Sequence, residues 1–294
     1  MHIKQDDEHN LYDPASDEAF ERALYAERRL KEKVAHARIK GASNIDNFRG
    51  PDFFVFLLFE KCSGVHTIDF VEYEQRDFQA QISFPGQIHS WSAGPATSGQ
   101  KLLVSRELLA LWPTPGRFSV HNVNRFPILD LTPEDFYELE YEFTQVAKGL
   151  LSSASQLEIN IRLQLIITLL DKQVEKYEQE ESVRKPFHPL VQKFRQLVQN
   201  HFKEERLLIY YAAQLNVTPN YLNILCRKHL GQSATGIIHQ RLLLEAKRLL
   251  LGSDLRVKEI TYELGFPDMA AFSNFIRAKT GLSPREIRKR SAPD

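Results

Sequence analysis

The chain has 294 residues, 38 Lys+Arg against 38 Asp+Glu, and 43% hydrophobic content. That length suits two domains at roughly 100–200 residues each, and the apolar content excludes wholesale disorder. No apolar run approaches the roughly 18 residues of a membrane span, and Cys62 and Cys226 make neither a disulfide framework nor a zinc spacing.

The start, Met1–Asn10, is polar and acidic, unlike a signal peptide, so a cytoplasmic location is expected. Residues 1–16 read as a loose tail. Asp17–Ala37 mixes Glu, Arg and Lys with Phe20, Leu24, Leu30 and Val34, which predicts an amphipathic helix. Gly41–Pro51 reads as loop. From Phe53 the chain changes character. Runs rich in Phe, Val and Ile (Phe53–Phe59, His66–Tyr73, Ala80–Phe84, Lys101–Ser105) are separated by Gly and Pro and predict strands. Ser63-Gly64 and Pro85-Gly86 supply turns, the second before His89-Ser90-Trp91. Short strands at this spacing predict a small antiparallel barrel.

Helical patterns resume at Pro133, with Thr132 as N-cap. Ser155–Gln179 carries an apolar stripe of Leu157, Ile161, Leu165, Ile166, Leu169, Leu170 and Val174. Glu180–Pro189 lacks periodicity and reads as a linker. Beyond it lie short helices with sharp stops. The expected organisation is a tail and helix over 1–40, a barrel with flanking helices over 41–180, a linker at 181–189, and an all-helical domain over 190–294, an α+β chain in all. Charge divides the same way. Residues 188–294 hold 17 Lys+Arg and 9 Asp+Glu, leaving 21 and 29 in residues 1–187. A net +8 block beside a net −8 block points to a polyanionic partner for the C-terminal block alone.

Within the basic block a single plan occurs twice. Leu208–Leu215 is a short apolar helix, Asn216 takes the turn, Val217 plugs it, and Thr218-Pro219 starts a helix that Gly231 stops. Val257–Leu264, Gly265, Phe266, Asp268 and a helix from Met269 stopped by Gly281 repeat it about fifty residues on. Between them Ser233–Leu251 spans about 27 Å as a helix. That length suits two helices reading successive major grooves, roughly 34 Å apart.

These residues resemble the C-terminal domain of the AraC/XylS family of bacterial transcription regulators. The resemblance rests on Ala212, Asn216, Tyr221-Leu222, Cys226-Arg227-Lys228 and Gly231, then on Arg241, Ala246-Lys247 and Leu249-Leu250. Ile260, Leu264-Gly265-Phe266, Asp268, Phe272-Ser273, Phe275 and Arg277 match most closely, followed by Gly281-Leu282-Ser283-Pro284 and Arg288. The chain departs from the pattern at Asn216 (usually Gly), Cys226 (usually Phe), Thr261 (usually Ala) and Ile276 (often Phe or Lys). The resemblance implies double-stranded DNA as partner, with base-reading positions on Asn220, Asn223 and Ile224 and on Ala270, Ser273 and Asn274. Arg227, Lys228, Arg241, Arg277 and Lys279 are placed for phosphates, which position a protein without reading sequence.

Gly64–Phe70 and Ile82–Trp91 resemble the cupin-like sensor domain of the same regulators. That implies a small-molecule effector in the barrel, with His66, Tyr73, His89 and Trp91 as pocket candidates, and a homodimer seam along 155–179. RNA polymerase is a further implied partner. The alternative is a metal-dependent cupin enzyme with a helical appendage. The cupin His-x-His pattern is missing, since Ile68 stands two residues after His66. The expectation is therefore a non-enzyme without metal or cofactor.

Overall fold

A computed structural model describes residues 34–48, 53–110, 126–152, 155–184 and 188–289. The expected tail and residues 17–33 of the expected first helix lie outside these residues. Residues 34–37, assigned to that helix, instead open a strand. The elements in order are β1 (Val34–Lys40), β2 (Ser43–Phe48), β3 (Phe53–Lys61), β4 (Gly64–Ile68), β5 (Val71–Gln75), β6 (Gln79–Ser83), β7 (His89–Ala93), β8 (Ser98–Ser105), α1 (Arg106–Ala110) and β9 (Ile128–Asp130). They are followed by α2 (Pro133–Leu151), α3 (Gln156–Arg184), α4 (Pro189–His201), α5 (Leu208–Gln214), α6 (Pro219–Leu230), α7 (Ala234–Gly252), α8 (Val257–Glu263), α9 (Met269–Thr280) and α10 (Pro284–Lys289).

The strands form two antiparallel sheets, one ordered β1-β8-β3-β6-β9 and one ordered β2-β7-β4-β5. The expected loop at 41–51 thus contains an edge strand, β2, paired with β7. The expected single strand over 66–73 is a hairpin, turned by Asp69 and Phe70 at φ 51° and 69°. Two successive left-handed residues make the type I′ geometry that suits the twist of a hairpin, which usually selects Asn-Gly. Asp-Phe in those places gives a turn with little local signal.

Side chains alternate across each strand. Val55, Leu57, Phe59, Leu103 and Ile39 face the second sheet and pack with Trp91 and Cys62. Phe56, Leu58, Ala80, Ile82, Leu102 and Val104 face outward and are covered by α2 and α3. Thr132 caps α2 as expected, its hydroxyl accepting from Asp135 N–H at 3.2 Å. α3 sorts its stripe in two. Ile159, Leu163, Ile166, Ile167, Leu169, Leu170 and Val174 are buried in this core. At roughly 1.5–3 kcal/mol per buried aliphatic side chain, this face is what holds the helix on the sheet. Leu157, Ile161 and Leu165 point outward and remain exposed. α3 continues to Arg184, so the expected linker is helical over its first residues, and α4 begins at Pro189. No helix among the described residues is long and apolar enough to cross a membrane.

The C-terminal helices enclose a separate core of Phe194, Val198, Tyr211, Ala212, Leu222, Cys226, Ile238, Leu242, Ala246, Ile260, Phe272 and Ile276. Both turns within it are built the same way. Asn216 and Gly265 sit at φ 54° and 69°. Asn216 N–H donates to Ala213 C=O and Val217 N–H to Ala212 C=O, as Gly265 does to Tyr262 and Phe266 to Thr261. This is the paired 5→2 and 6→1 bonding that ends a helix on a left-handed residue. Asn tolerates that conformation where most side chains do not. Gly265 has a second constraint, because a Cβ there would lie 2.6 Å from the Lys203 carbonyl oxygen. Gly265→Ala is expected to lower stability by about 2 kcal/mol or more, while Asn216→Gly changes it by under about 0.5 kcal/mol, in urea unfolding.

Candidate nucleic-acid interface

The two helices that follow these turns are related by a fixed offset of fifty residues. Thr218 caps α6 by accepting from Tyr221 N–H at 3.2 Å, and Asp268 caps α9 by accepting from Ala271 N–H at 2.7 Å. Gly231 and Gly281 end them in left-handed conformation at φ 70° and 75°. Leu222 and Cys226 are fully buried, as are Phe272 and Ile276 at the matching positions. Burial pushes the Cys226 thiol up to about 11. Thr261, where Ala is usual, satisfies its buried hydroxyl by donating to Val257 C=O at 2.8 Å.

This packing decides which side chains face out. On α6, Asn220, Tyr221, Ile224, Arg227 and Lys228 are exposed. On α9, Ala270, Asn274, Arg277 and Lys279 are exposed. In each helix an apolar or amide side chain is followed, one turn on, by cations towards the C-terminal end. Asn223 and Ser273 are half-buried. The Asn223 side-chain oxygen accepts from Ala234 N–H at 3.0 Å and so helps start α7. That bond occupies one of the two lone pairs of the amide oxygen and ties the side chain to the start of α7.

Arg241 does not lie with the exposed cations. Its guanidinium donates to Gln199 at 2.7 Å and Glu245 at 2.9 Å and stacks on Phe202 at 3.9 Å. It is a strut between α4 and α7, so its guanidinium is engaged inside the domain rather than displayed with the other cations expected at phosphates. Burial lowers its pKa from the ordinary guanidinium value, against the pull of Glu245. A different set of cations, which sequence reasoning misses, gathers around the start of α9. Arg256, Lys258, Arg285, Arg288 and Lys289 line a hollow of about 440 Å³ beside Val257 and Met269. Only tertiary packing brings 256–258 next to 285–289. Arg288 is fixed there by donating to the carbonyls of Leu250 and Leu255 at 3.2 and 2.6 Å, whereas the other four are exposed.

Residues 211–290 match a family model described as a helix-turn-helix domain. Over 92 residues the chain is 33% identical to the HTH-type transcriptional activator RhaS of Salmonella arizonae and to that of Salmonella newport, a stretch covering 31% of this chain and 33% of each relative. Residues 211–290 form a helix-turn-helix domain. The chain spans about a third of the length of the curated relatives it matches. Among solved structures, it is similar to the C-terminal domain of AraT, a response regulator from Geobacillus stearothermophilus, at 29% identity over 37% of this chain and 92% of that one, with TM-score 0.35. ToxT from Vibrio cholerae aligns at 13% identity over 87% of this chain and 97% of that one, with TM-score 0.41. The helix-turn-helix domain thus carries the repeated helices, while the barrel precedes it in the same chain.

The barrel candidates converge. His66 lies opposite Tyr73 on β5 and Trp91 on β7. The His66, His89 and Trp91 rings meet pairwise at 5.6, 5.8 and 6.0 Å between centroids. His66 Nδ1 shares a 2.7 Å hydrogen bond with Gln81 on the facing sheet. Lys101, inconspicuous in the sequence because it sits within an apolar strand, is 1% exposed with its ammonium 5.4 Å from the Trp91 ring. The Nε2 of His66, the Gln75 amide and the Ser83 hydroxyl are buried without a hydrogen-bond partner. Among the described residues no three His, Cys, Asp or Glu side chains form a metal-binding group.

Burial pushes the His66 ring down to about 4, and His89 well below its ordinary value, with His66 and Lys101 adding repulsion. The unfolded chain therefore binds more protons than the folded one below about pH 6.5. Stability is expected to be complete above that pH and to fall as pH drops towards about 4, by about 3 kcal/mol from His66 alone. Urea unfolding at pH 7 and pH 5 measures the loss, and His66→Gln should flatten the dependence.

Proposed function

We propose that this chain is a sequence-specific transcriptional regulator that binds double-stranded DNA with α6 and α9 in successive major grooves. The observation that carries this is the duplicated turn, which leaves two matching helix faces exposed, one before α7 in the chain and one after it. In this reading Asn220, Ile224, Ala270 and Asn274 meet base edges, an amide pairing with adenine and an aliphatic group meeting a thymine methyl. Arg227, Lys228, Arg277 and Lys279 meet phosphates. Lys258, Arg285 and Lys289 extend this set along the backbone beside the start of α9. The protein would act in the cytoplasm, without an enzymatic activity of its own, and engage RNA polymerase at promoters.

Binding sites selected from genomic DNA test the reading. The full chain should bind them with log affinity falling linearly in log salt, because phosphate contacts release counterions. Asn274→Ala should weaken selected sites by about 1–3 kcal/mol and leave nonspecific DNA unchanged, whereas Lys258→Ala should weaken both and reduce the salt slope by about 1. Absence of salt-dependent binding overturns the reading.

In the same reading the barrel takes a small polar effector against His66, Tyr73, His89 and Trp91. The unpartnered His66, Gln75 and Ser83 groups support it, since buried polar atoms ordinarily find partners. A second copy would dock on Leu157, Ile161 and Leu165, an exposed i, i+4, i+8 stripe of 68%, 57% and 42% exposure. Removing the whole of 155–179 is no test, because its other face is core. Ile161→Glu with Leu165→Glu is expected to give monomers with unchanged unfolding midpoint in analytical ultracentrifugation, and a persisting dimer rejects this seam.

A further inference from the structure

The Asp69-Phe70 hairpin turn of the barrel contacts the helix-turn-helix domain at α7. Arg248 of α7 donates from Nε to Asp69 Oδ1 at 2.8 Å and from its terminal nitrogen to Asp69 Oδ2 at 2.5 Å. Both side chains are about nine-tenths buried, at 8% and 10% exposure. A bidentate guanidinium–carboxylate pair fixes orientation as well as distance. Beside it, the Lys247 ammonium lies 4.9 Å from the Phe70 ring.

Each half of the pair is braced. On the barrel side, Gln87 donates to Asp69 Oδ2 at 2.6 Å and Ile88 N–H reaches Oδ1 at 3.3 Å, while Gln87 itself is held by Phe84 N–H at 2.6 Å. On the helical side, Glu245 bridges Arg248 and the strut Arg241 at 3.5 and 2.9 Å. The turn holds two non-glycine residues at positive φ. Such conformations are costly and persist where surroundings enforce them. The carboxylate is thus presented to α7 by a strained, pinned turn.

We propose that Asp69 and Arg248 form an interdomain latch that holds α7, the helix spacing the two recognition helices, against the barrel and lowers affinity for DNA. The reading faces of α6 and α9 stay exposed in the latched form, so the effect is electrostatic and orientational rather than a steric block. Latching keeps the acidic half, net −8, beside the basic half, net +8, and lets it compete with DNA for the same positive field. The effect on affinity rests on the DNA-binding reading, and the latch itself does not.

Asp69→Asn tests it in the full chain. Asn accepts the left-handed turn and the Gln87 contact but removes the charge facing Arg248. Small-angle scattering should show an increased radius of gyration, and amide exchange in α7 should rise severalfold. Arg248→Gln should open the protein to the same extent, and the double variant no further. Nonspecific DNA should bind Asp69→Asn several-fold more tightly at about 50 mM salt, with the gain shrinking at about 200 mM as charges are screened. Unchanged scattering and exchange in both variants overturn the latch. Opening with unchanged or weakened DNA affinity overturns its inhibitory role, and opening with no DNA binding by either form leaves the latch standing while rejecting the regulator reading. Unfolding midpoints of both variants guard against global loss of structure, and Arg248→Lys should retain partial closure.

Discussion

The second helix of each helix-turn-helix unit owes its direction to one residue in left-handed conformation. Asn216 and Gly265 end a short helix, return its last carbonyls to the next two amides, and aim the chain into a new helix. Everything presented to solvent on α6 and α9 follows from that turn and from the buried pairs Leu222 with Cys226 and Phe272 with Ile276. Because the turns repeat 49 residues apart and the helices behind them fifty apart, one connector, α7, sets how the two faces relate. That helix has its own cap, with Ser233 accepting from Gly236 N–H.

The barrel solves a different problem with the same economy of residues. Its five-stranded sheet has an apolar outer face closed by α2 and α3 and an inner face that becomes polar along β6, where Gln79, Gln81 and Ser83 alternate with Ala80 and Ile82. A polar interior is expensive without partners, and several of its atoms have none. This interior is directly continuous with the hairpin turn facing α7. His89 pairs with Ile68, the residue before Asp69, and Gln87, which pins Asp69, lies two residues before His89.

Local chemistry makes much of this legible. The turn at Gly265, the caps at Thr132, Thr218 and Asp268, and the stops at Gly231 and Gly281 depend on residues a few positions apart, and all stand where their residue types place them. The strand content is legible too, though its punctuation is not. The hairpin at 69–70 lacks Gly or Asn, and the strand at 43–48 lacks the β-branched density that marks one, so neither carries its own signal. On α3 a continuous apolar stripe disguises two faces with different destinations, because 3.6-residue periodicity reports that positions are apolar and not what lies opposite each of them.

Residue by residue, the candidate interface divides along the same line. Asn220, Ile224, Ala270 and Asn274 are exposed because their place on a helix behind a fixed turn leaves no other outcome. Asn223 and Arg241 look equivalent to them in sequence, yet one caps α7 and the other is held between Gln199, Glu245 and Phe202. The cations at 256–258 and 285–289 meet only after the chain has folded back on itself. The repeated helix-turn-helix plan and the opposite charge of the two halves can be read from the residues in order, since both rest on short-range spacing and composition. Which polar side chains are spent internally, and that Asp69 meets Arg248 across 179 residues, is settled only in three dimensions, because such contacts depend on packing between segments that no local pattern encodes.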